Sequence, residues 1–118
     1  LRALCSSPFF QRLRASKAAL KIFIESVNVE LKKSGTDNRI LNVSPGRING
    51  TNFYNGANNL SLLYPLADEI IYHMNNRNDL FIPEYEEVFK KVLERYHRDF
   101  RAEGEHSYEY KQEQLKRK

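Results

Sequence analysis

The predicted fold depends on one stretch, Phe23-Ile24-Glu25-Ser26-Val27-Asn28-Val29-Glu30-Leu31-Lys32-Lys33-Ser34-Gly35. With Leu20 before it, its apolar side chains recur at intervals of three and four residues, which predicts one apolar face of a helix. Two lysines in the last turn, followed by Gly35, are typical of a helix C-terminus. We therefore predict a helix over residues 15–34. Its buried residues are predicted to be Phe23, Ile24, Val27 and Leu31.

Turn signals divide the chain after Gly35 into short segments that favour strands. Residues 38–44 stop at a Pro-Gly pair, and residues 51–54 lie between two glycines. Residues 58–62 are predicted to pair with residues 51–54 as a hairpin. A short initial strand is predicted at residues 2–5. The sequence thus predicts a sheet of three or four short strands.

Two further helices are predicted. The first covers residues 64–76, with Pro65 in its first turn. The second opens at Pro83 and carries a nearly ideal apolar stripe, which we predict to dock against the domain or a partner. The residues predicted for docking are Val88, Phe89, Val92, Leu93, Tyr96 and Phe100. Beyond Gly104 the tail is polar and is predicted to be ordered only against a partner.

The predicted organisation has three parts: a basic N-terminal arm at residues 1–14, a body at residues 15–78, and a helical C-terminal extension with a charged tail at residues 79–118. Along the chain, a strand, a helix and a strand are followed by a hairpin and a closing helix. That order predicts the α/β class, as a thioredoxin-like small mixed sheet flanked by helices, with the amphipathic helix and tail added.

At this point the sequence resembles a known family, the small thioredoxin-fold subunits shared by mitochondrial respiratory complex I and the mitochondrial ribosome. The resemblance covers roughly residues 3–76. The segments that carry it are Phe23-Ile24-Glu25, Glu30-Leu31-Lys32-Lys33, Ile40-Leu41 and Asn58-Asn59-Leu60-Ser61. It implies a non-catalytic accessory subunit of complex I on the matrix side of the inner membrane, with other subunits as partners. A mitochondrial ribosomal protein that binds rRNA is the alternative.

Three features depart from that family. Only a few residues precede the Ser7-Pro8 break, so the first strand is short. The complex I type can carry a cysteine pair, whereas Cys5 is the single cysteine. The helix from Pro83 and its tail exceed the compact complex I form, and long charged extensions are more familiar among the ribosomal members.

Charge is unevenly distributed, although the net charge is only +4. The first 24 residues contain five basic residues, several serines and no acid. That composition is typical of a mitochondrial targeting segment, and arginines interrupt every window that could form a secretory signal. An ordinary basic arm remains the alternative. The predicted basic contacts are Arg12, Arg14, Lys17, Lys116, Arg117 and Lys118.

The sequence predicts no catalytic, cofactor-binding or metal-binding residues. A single cysteine cannot form an internal disulfide or a cysteine-built zinc site. The three histidines lack ligand-like spacing with carboxylates, and the acidic residues at 84–87 are typical of a solvated helix start. No apolar run approaches the roughly 20 residues that cross a bilayer. We therefore predict a protein that is neither an enzyme nor a membrane-spanning chain.

Overall fold

The computed structural model describes residues 11–46, 48, 50–51 and 58–116. In this part of the chain 70% of the residues are helical and 4% are in strands. The helices are α1 (Gln11–Lys33), α2 (Tyr64–Asn75), α3 (Lys90–Arg98) and α4 (Phe100–Lys116), and the strands are β1 (Asn42–Val43) and β2 (Leu80–Phe81). A 3₁₀ turn covers Leu60–Leu62, and a π turn covers Tyr85–Phe89.

The prediction of a thioredoxin-like α/β sheet is wrong, because the fold is mostly helical. The two strands pair in parallel, with Asn42 opposite Leu80 and Val43 opposite Phe81. The predicted strand at 38–44 shrinks to β1, while β2 lies at residues for which the sequence predicted no strand. The predicted strand at 2–5 lies outside the described residues, as does the one at 51–54 apart from Thr51.

The third predicted strand, at residues 58–62, is also wrong. Asn59 has extended backbone angles, and its Oδ1 accepts the backbone N–H of Ser61 at 3.1 Å. This side chain caps the 3₁₀ turn. Asparagine favours caps because its short side chain competes for backbone hydrogen bonds, and for the same reason it disfavours strand ladders.

The prediction of a helix at α1 is confirmed, and its end is a Schellman motif. Gly35 takes a left-handed φ of 78°. Its N–H donates to Lys32 O at 3.2 Å, and the Thr36 N–H donates to Leu31 O at 3.3 Å. The prediction that Phe23 is buried is wrong, since Phe23 is 62% exposed. Three other residues of the predicted face are half-buried: Ile24, Val27 and Leu31.

The buried residue of α1 is Asn28, with 6% of its surface exposed. Its side-chain amide exchanges two hydrogen bonds with the backbone of Ile40. The segment that lies against this face of α1 therefore presents peptide groups, and a polar amide satisfies them where an apolar side chain could not. This contact connects α1 to the chain that leads into β1.

The predicted helix at α2 is confirmed, and it also ends in a Schellman arrangement. The Arg77 N–H donates to Met74 O at 3.0 Å, and the Asn78 N–H donates to His73 O at 3.1 Å. The residue with the left-handed backbone is Arg77, with a φ of 54°. A hydrogen bond of 2.7 Å joins Asn78 Nδ2 and His73 Nδ1, and the His73 ring stacks on Phe81 at 4.4 Å.

The C-terminal segment is more divided than the sequence predicted. Glu84, after Pro83, has a left-handed φ of 54° and precedes the π turn. Asp99 then separates α3 from α4, with φ −154° and ψ 96°. The prediction of one helix from Pro83 to Phe100 is therefore corrected to a π turn and two helices. The predicted unstructured tail is helical as far as Lys116, because α4 continues through Gly104.

The chain divides into two compact units. The first contains α1 up to Ile22 together with the chain from Glu84 onward, and the second is Phe23–Pro83. In the described residues the buried apolar side chains are few: Phe81 and Ile82 in the second unit, and Phe89 in the first. Most large apolar side chains therefore keep substantial contact with solvent.

Candidate docking surface

The stripe that the sequence assigned to docking is only partly accessible. Phe89 is 3% exposed, so it belongs to the core of its unit. The half-buried members are Val92, Leu93 and Tyr96, and the exposed members are Val88 and Phe100. The structure thus places these six residues along three successive elements, with the accessible ones near the ends of the stripe.

Backbone geometry explains this division. In the π turn the Lys90 N–H bonds to Tyr85 O, five residues back, so the turn is wider than that of an α-helix. The Tyr85 and Phe89 rings then lie 5.3 Å apart. At the other end, the break at Asp99 separates Phe100 from the stripe of α3, although its ring stays 6.3 Å from that of Tyr96.

Polar contacts fix the junction between α3 and α4. Asp99 Oδ1 accepts the N–H groups of Arg101 and Ala102, each at 3.0 Å, so Asp99 is the N-cap of α4. Glu103, which is 7% exposed, forms a bidentate ion pair with Arg95, at 2.9 Å to Nε and 3.3 Å to Nη2. The Arg101 guanidinium lies 4.4 Å from the centre of the Phe100 ring.

Sequence reasoning missed the exposed apolar side chains of α1. Leu13 and Leu20 are seven residues apart, as are Ile22 and Val29, so each pair lies on one side of the helix two turns apart. Together with Phe23, these residues are between 52% and 62% exposed. Nine residues, or two and a half turns, separate Leu13 from Ile22, so the two pairs lie on opposite sides of the helix. We call Leu13 and Leu20, which both lie in the first unit, the α1 apolar surface. The signal available in the sequence was that two apolar residues, Ile22 and Val29, fall outside the predicted buried face.

A second set of exposed apolar side chains lies in the second unit. These residues are on the 3₁₀ turn and α2: Leu60, Leu62, Tyr64, Ile71, Tyr72 and Met74. The predicted helix at 64–76 thus exists, but it presents large apolar side chains to solvent on more than one side.

The predicted basic contacts lie at the two ends of the described chain. Arg12 and Lys17 are exposed on α1 and form no ion pair with the residues that the structure describes. Arg14 is half-buried, and Lys116 is exposed at the end of α4. Arg117 and Lys118 lie outside the described residues. Of the predicted set, Arg12, Arg14 and Lys17 share α1 with Leu13 and Leu20.

The described residues contain no group of three or more His, Cys, Asp or Glu side chains that could hold a metal ion. Lys90 and Glu86 form an exposed ion pair at 2.9 Å, in which the hydrogen bond and the charge of Glu86 raise the pKa of Lys90. Both partners are typical of a solvated helix surface. None of the helices over the described ranges combines the length and apolar character needed to cross a membrane.

With this geometry established, we compared the chain with known proteins at the level of sequence and of structure. No protein-family model matches it, and no match was found among curated proteins or solved structures.

Proposed function

We propose that the protein is a non-catalytic subunit of a larger assembly and acts by docking onto neighbouring proteins. The observation that carries this proposal is the α1 apolar surface. Single exposed apolar residues are common on soluble proteins, whereas large ones that repeat along one side of a helix favour an interaction site. On α1 the side chains repeat at the two-turn spacing with which an amphipathic helix fills a groove of a partner.

Covering the α1 apolar surface would contribute to the free energy of binding a partner. Complete burial of a Leu, Ile, Val or Phe side chain contributes about 1.5–3 kcal/mol. Leu13 and Leu20 are each a little more than half exposed. Covering their remaining area would therefore contribute about 2 kcal/mol, before the cost of association. That contribution adds to the other contacts with a partner, and it is lost whenever the surface faces water.

We further propose that the assembly is mitochondrial respiratory complex I and that the protein lies on the matrix side of the inner membrane. The support is the composition of the first 24 residues and the local resemblance of residues 3–76. The thioredoxin-like order of elements does not support it, because the fold is mostly helical.

The test is to express the tagged full chain in its own cells and to separate a mild detergent extract on a density gradient. We expect the chain to travel with the fractions that oxidise NADH. Leu20→Asp should move much of it to the top of the gradient, because a charge would be placed in the covered surface. Asn75→Asp adds the same charge at an exposed polar position of α2 and should have no effect.

Two results would contradict the proposal. Migration of the unmodified chain as a free small protein would reject docking altogether. Unchanged migration of the Leu20→Asp variant would show that α1 is not the docking surface. Circular dichroism of both purified variants should match that of the parent, since both substituted residues are exposed.

A second candidate function is a ribosomal protein that contacts rRNA. The observation that favours it is the pair of exposed cations on α1, Arg12 and Lys17, without ion-pair partners among the described residues. RNA binding through such residues weakens steeply as salt rises, because counterions are released. Under the preferred proposal, purified protein should bind RNA only in the non-specific range of about 0.1 mM to 1 µM and lose it in moderate salt. Co-sedimentation with ribosomal particles would favour this second function.

A further inference from the structure

An open pocket of about 430 Å³ lies in the second unit. It is formed by the segment after α1 together with the last turn of α2 and the residues that follow it. Its lining residues are Asn38, Arg39, Leu41, Met74, Arg77 and Asn78. The volume is within the roughly 300–1,000 Å³ typical of small-molecule sites. Two cations, two amides and two apolar side chains thus surround one space.

Backbone carbonyls orient both guanidinium groups. Arg39 Nη1 donates to Thr36 O at 2.8 Å and to the carbonyl of Asn38. Arg77 Nη1 donates to Asp37 O at 3.3 Å. The two arginines are therefore both anchored on one short loop, residues 36–38.

These anchors leave most of the donors of each guanidinium unused. The group has five N–H donors in a rigid fork, and Nη1 carries two of them, so about three remain on Nε and Nη2. Neither arginine forms an ion pair with a carboxylate of the described chain. Two positive charges therefore line an open pocket without an ion-pair partner among the described residues.

The backbone of Arg77 is a second, independent indication that this pocket binds a ligand. It occupies the left-handed position of the α2 Schellman motif, which Gly35 fills at the end of α1. A side chain there is strained, and such strained residues cluster at ligand clamps. In this position the Arg77 side chain reaches the 36–38 loop, a contact that glycine could not make.

We propose that this pocket binds the phosphate group of a small phosphomonoester. A phosphate dianion matches two guanidinium groups in charge, and its oxygens fit their forked donors. Asn78 is held in place by His73 and adds a polar edge. Leu41 and Met74 provide an apolar wall for the organic part of the ligand. The site lies within the Phe23–Pro83 unit and does not depend on the docking proposal.

The test uses the full chain, isotope-labelled, titrated with phenyl phosphate and followed by NMR. We expect saturable amide shifts over residues 36–41 and 74–79, with a Kd of about 1 mM or tighter. Inorganic phosphate should bind at the same residues but more weakly, because it lacks an apolar part. Benzoate, which carries a single charge, should bind about tenfold more weakly than phenyl phosphate.

The decisive variant is Arg77→Gly. Glycine relieves the left-handed strain, so the melting temperature should stay the same or rise, while phenyl phosphate binding should weaken by about tenfold or more. Arg12→Gln removes one positive charge from α1 and should leave binding unchanged. Arg39→Lys keeps the positive charge but loses the forked donors of the guanidinium group. It should weaken phenyl phosphate binding about as much as Arg77→Gly does.

Several outcomes would overturn the proposal. These are the absence of shifts at about 10 mM phenyl phosphate, shifts confined to other residues, or equal affinity of Arg77→Gly and the parent. Benzoate binding as tight as phenyl phosphate would reject a phosphate ligand in favour of a carboxylate.

Discussion

The side-chain amide of Asn28 pairs with the backbone of Ile40 as a neighbouring strand would. Asn28 Nδ2 donates to Ile40 O, and the Ile40 N–H donates to Asn28 Oδ1, each at 2.8 Å. An amide side chain carries one acceptor and two donors, so it can satisfy both groups of a single peptide residue. A helix residue thereby fixes the position of the chain that enters β1.

Asn28→Ala should destabilise the protein by about 2 kcal/mol, because it leaves the donor and acceptor of Ile40 without their partner. Ile40 itself is exposed, so water can compensate for part of the loss. The measurement is the urea midpoint of unfolding followed by circular dichroism. Asn75→Ala, at an exposed position of α2, is the matched control and should change stability by less than about 0.5 kcal/mol. Equal midpoints for the two variants would contradict the structural role of Asn28.

Asp99→Ala should cost about 1 kcal/mol, because two N–H groups of the first turn of α4 lose their acceptor. Asp99→Asn keeps a side-chain oxygen at the cap and should cost less than half as much. Thermal melting of the three proteins side by side measures the difference. A loss of equal size in both variants would show that the carboxylate charge, and not the cap geometry, is what stabilises α4.

Gly50→Ala should be more damaging than Gly46→Ala, although both residues have left-handed backbones with φ of 82° and 74°. A Cβ on Gly50 would lie 2.5 Å from Asn59 O, whereas a Cβ on Gly46 meets nothing within 4 Å. The backbone strain alone costs about 1 kcal/mol, and the clash raises the loss at Gly50 to about 3 kcal/mol. Chemical denaturation of both variants separates the two effects. Similar losses would indicate that residues 50 and 59 are not in contact.

Phe89→Ala should cost about 3–5 kcal/mol, since this ring is one of the few buried apolar side chains. Phe23→Ala should cost less than about 1 kcal/mol in the isolated chain, because most of the Phe23 ring is exposed. The sequence alone predicted on the order of 3 kcal/mol for Phe23 as a core residue. Denaturant titration of the pair therefore distinguishes the structure from the sequence-based interpretation.

Sequence reasoning predicted α1 and α2 well because their signals are local. The apolar spacing, the lysines at 32 and 33, and Gly35 all act within a few residues of the helix they define. Pro65 likewise lies in the first turn of the helix it favours. Such features need no knowledge of the distant chain.

The sheet could not be predicted in the same way. The partner of β1 is Leu80–Phe81, a two-residue strand, and two residues are too few to show a strand period. The break at Asp99 was not predicted because Phe100 lies four residues after Tyr96. That spacing is typical of one continuous helix, although Asp99 is the N-cap of a new one. An aspartate before a new polar helix was the signal that could have revealed it.

The sequence could not predict which apolar side chains stay accessible, for a related reason. Periodicity identifies an apolar face but not whether the protein itself covers that face. Phe89 proved to be core and Phe23 exposed, although both lie on regular stripes. The Arg39 and Arg77 pocket was not accessible to sequence reasoning either, since it requires the ends of two helices to be brought together.

The parallel pairing of β1 with β2 has a consequence for the order of folding. Residues 44–79 lie between the two strands and must be closed into a loop before the Asn42 N–H can donate to Asp79 O, or the Ser44 N–H to Phe81 O. Loop closure of this length costs on the order of 3 kcal/mol, while only a two-residue ladder is gained. The ladder should therefore form after the rate-limiting step. Val43→Ala should accelerate unfolding and leave the refolding rate nearly unchanged, a low φ-value that stopped-flow kinetics can measure.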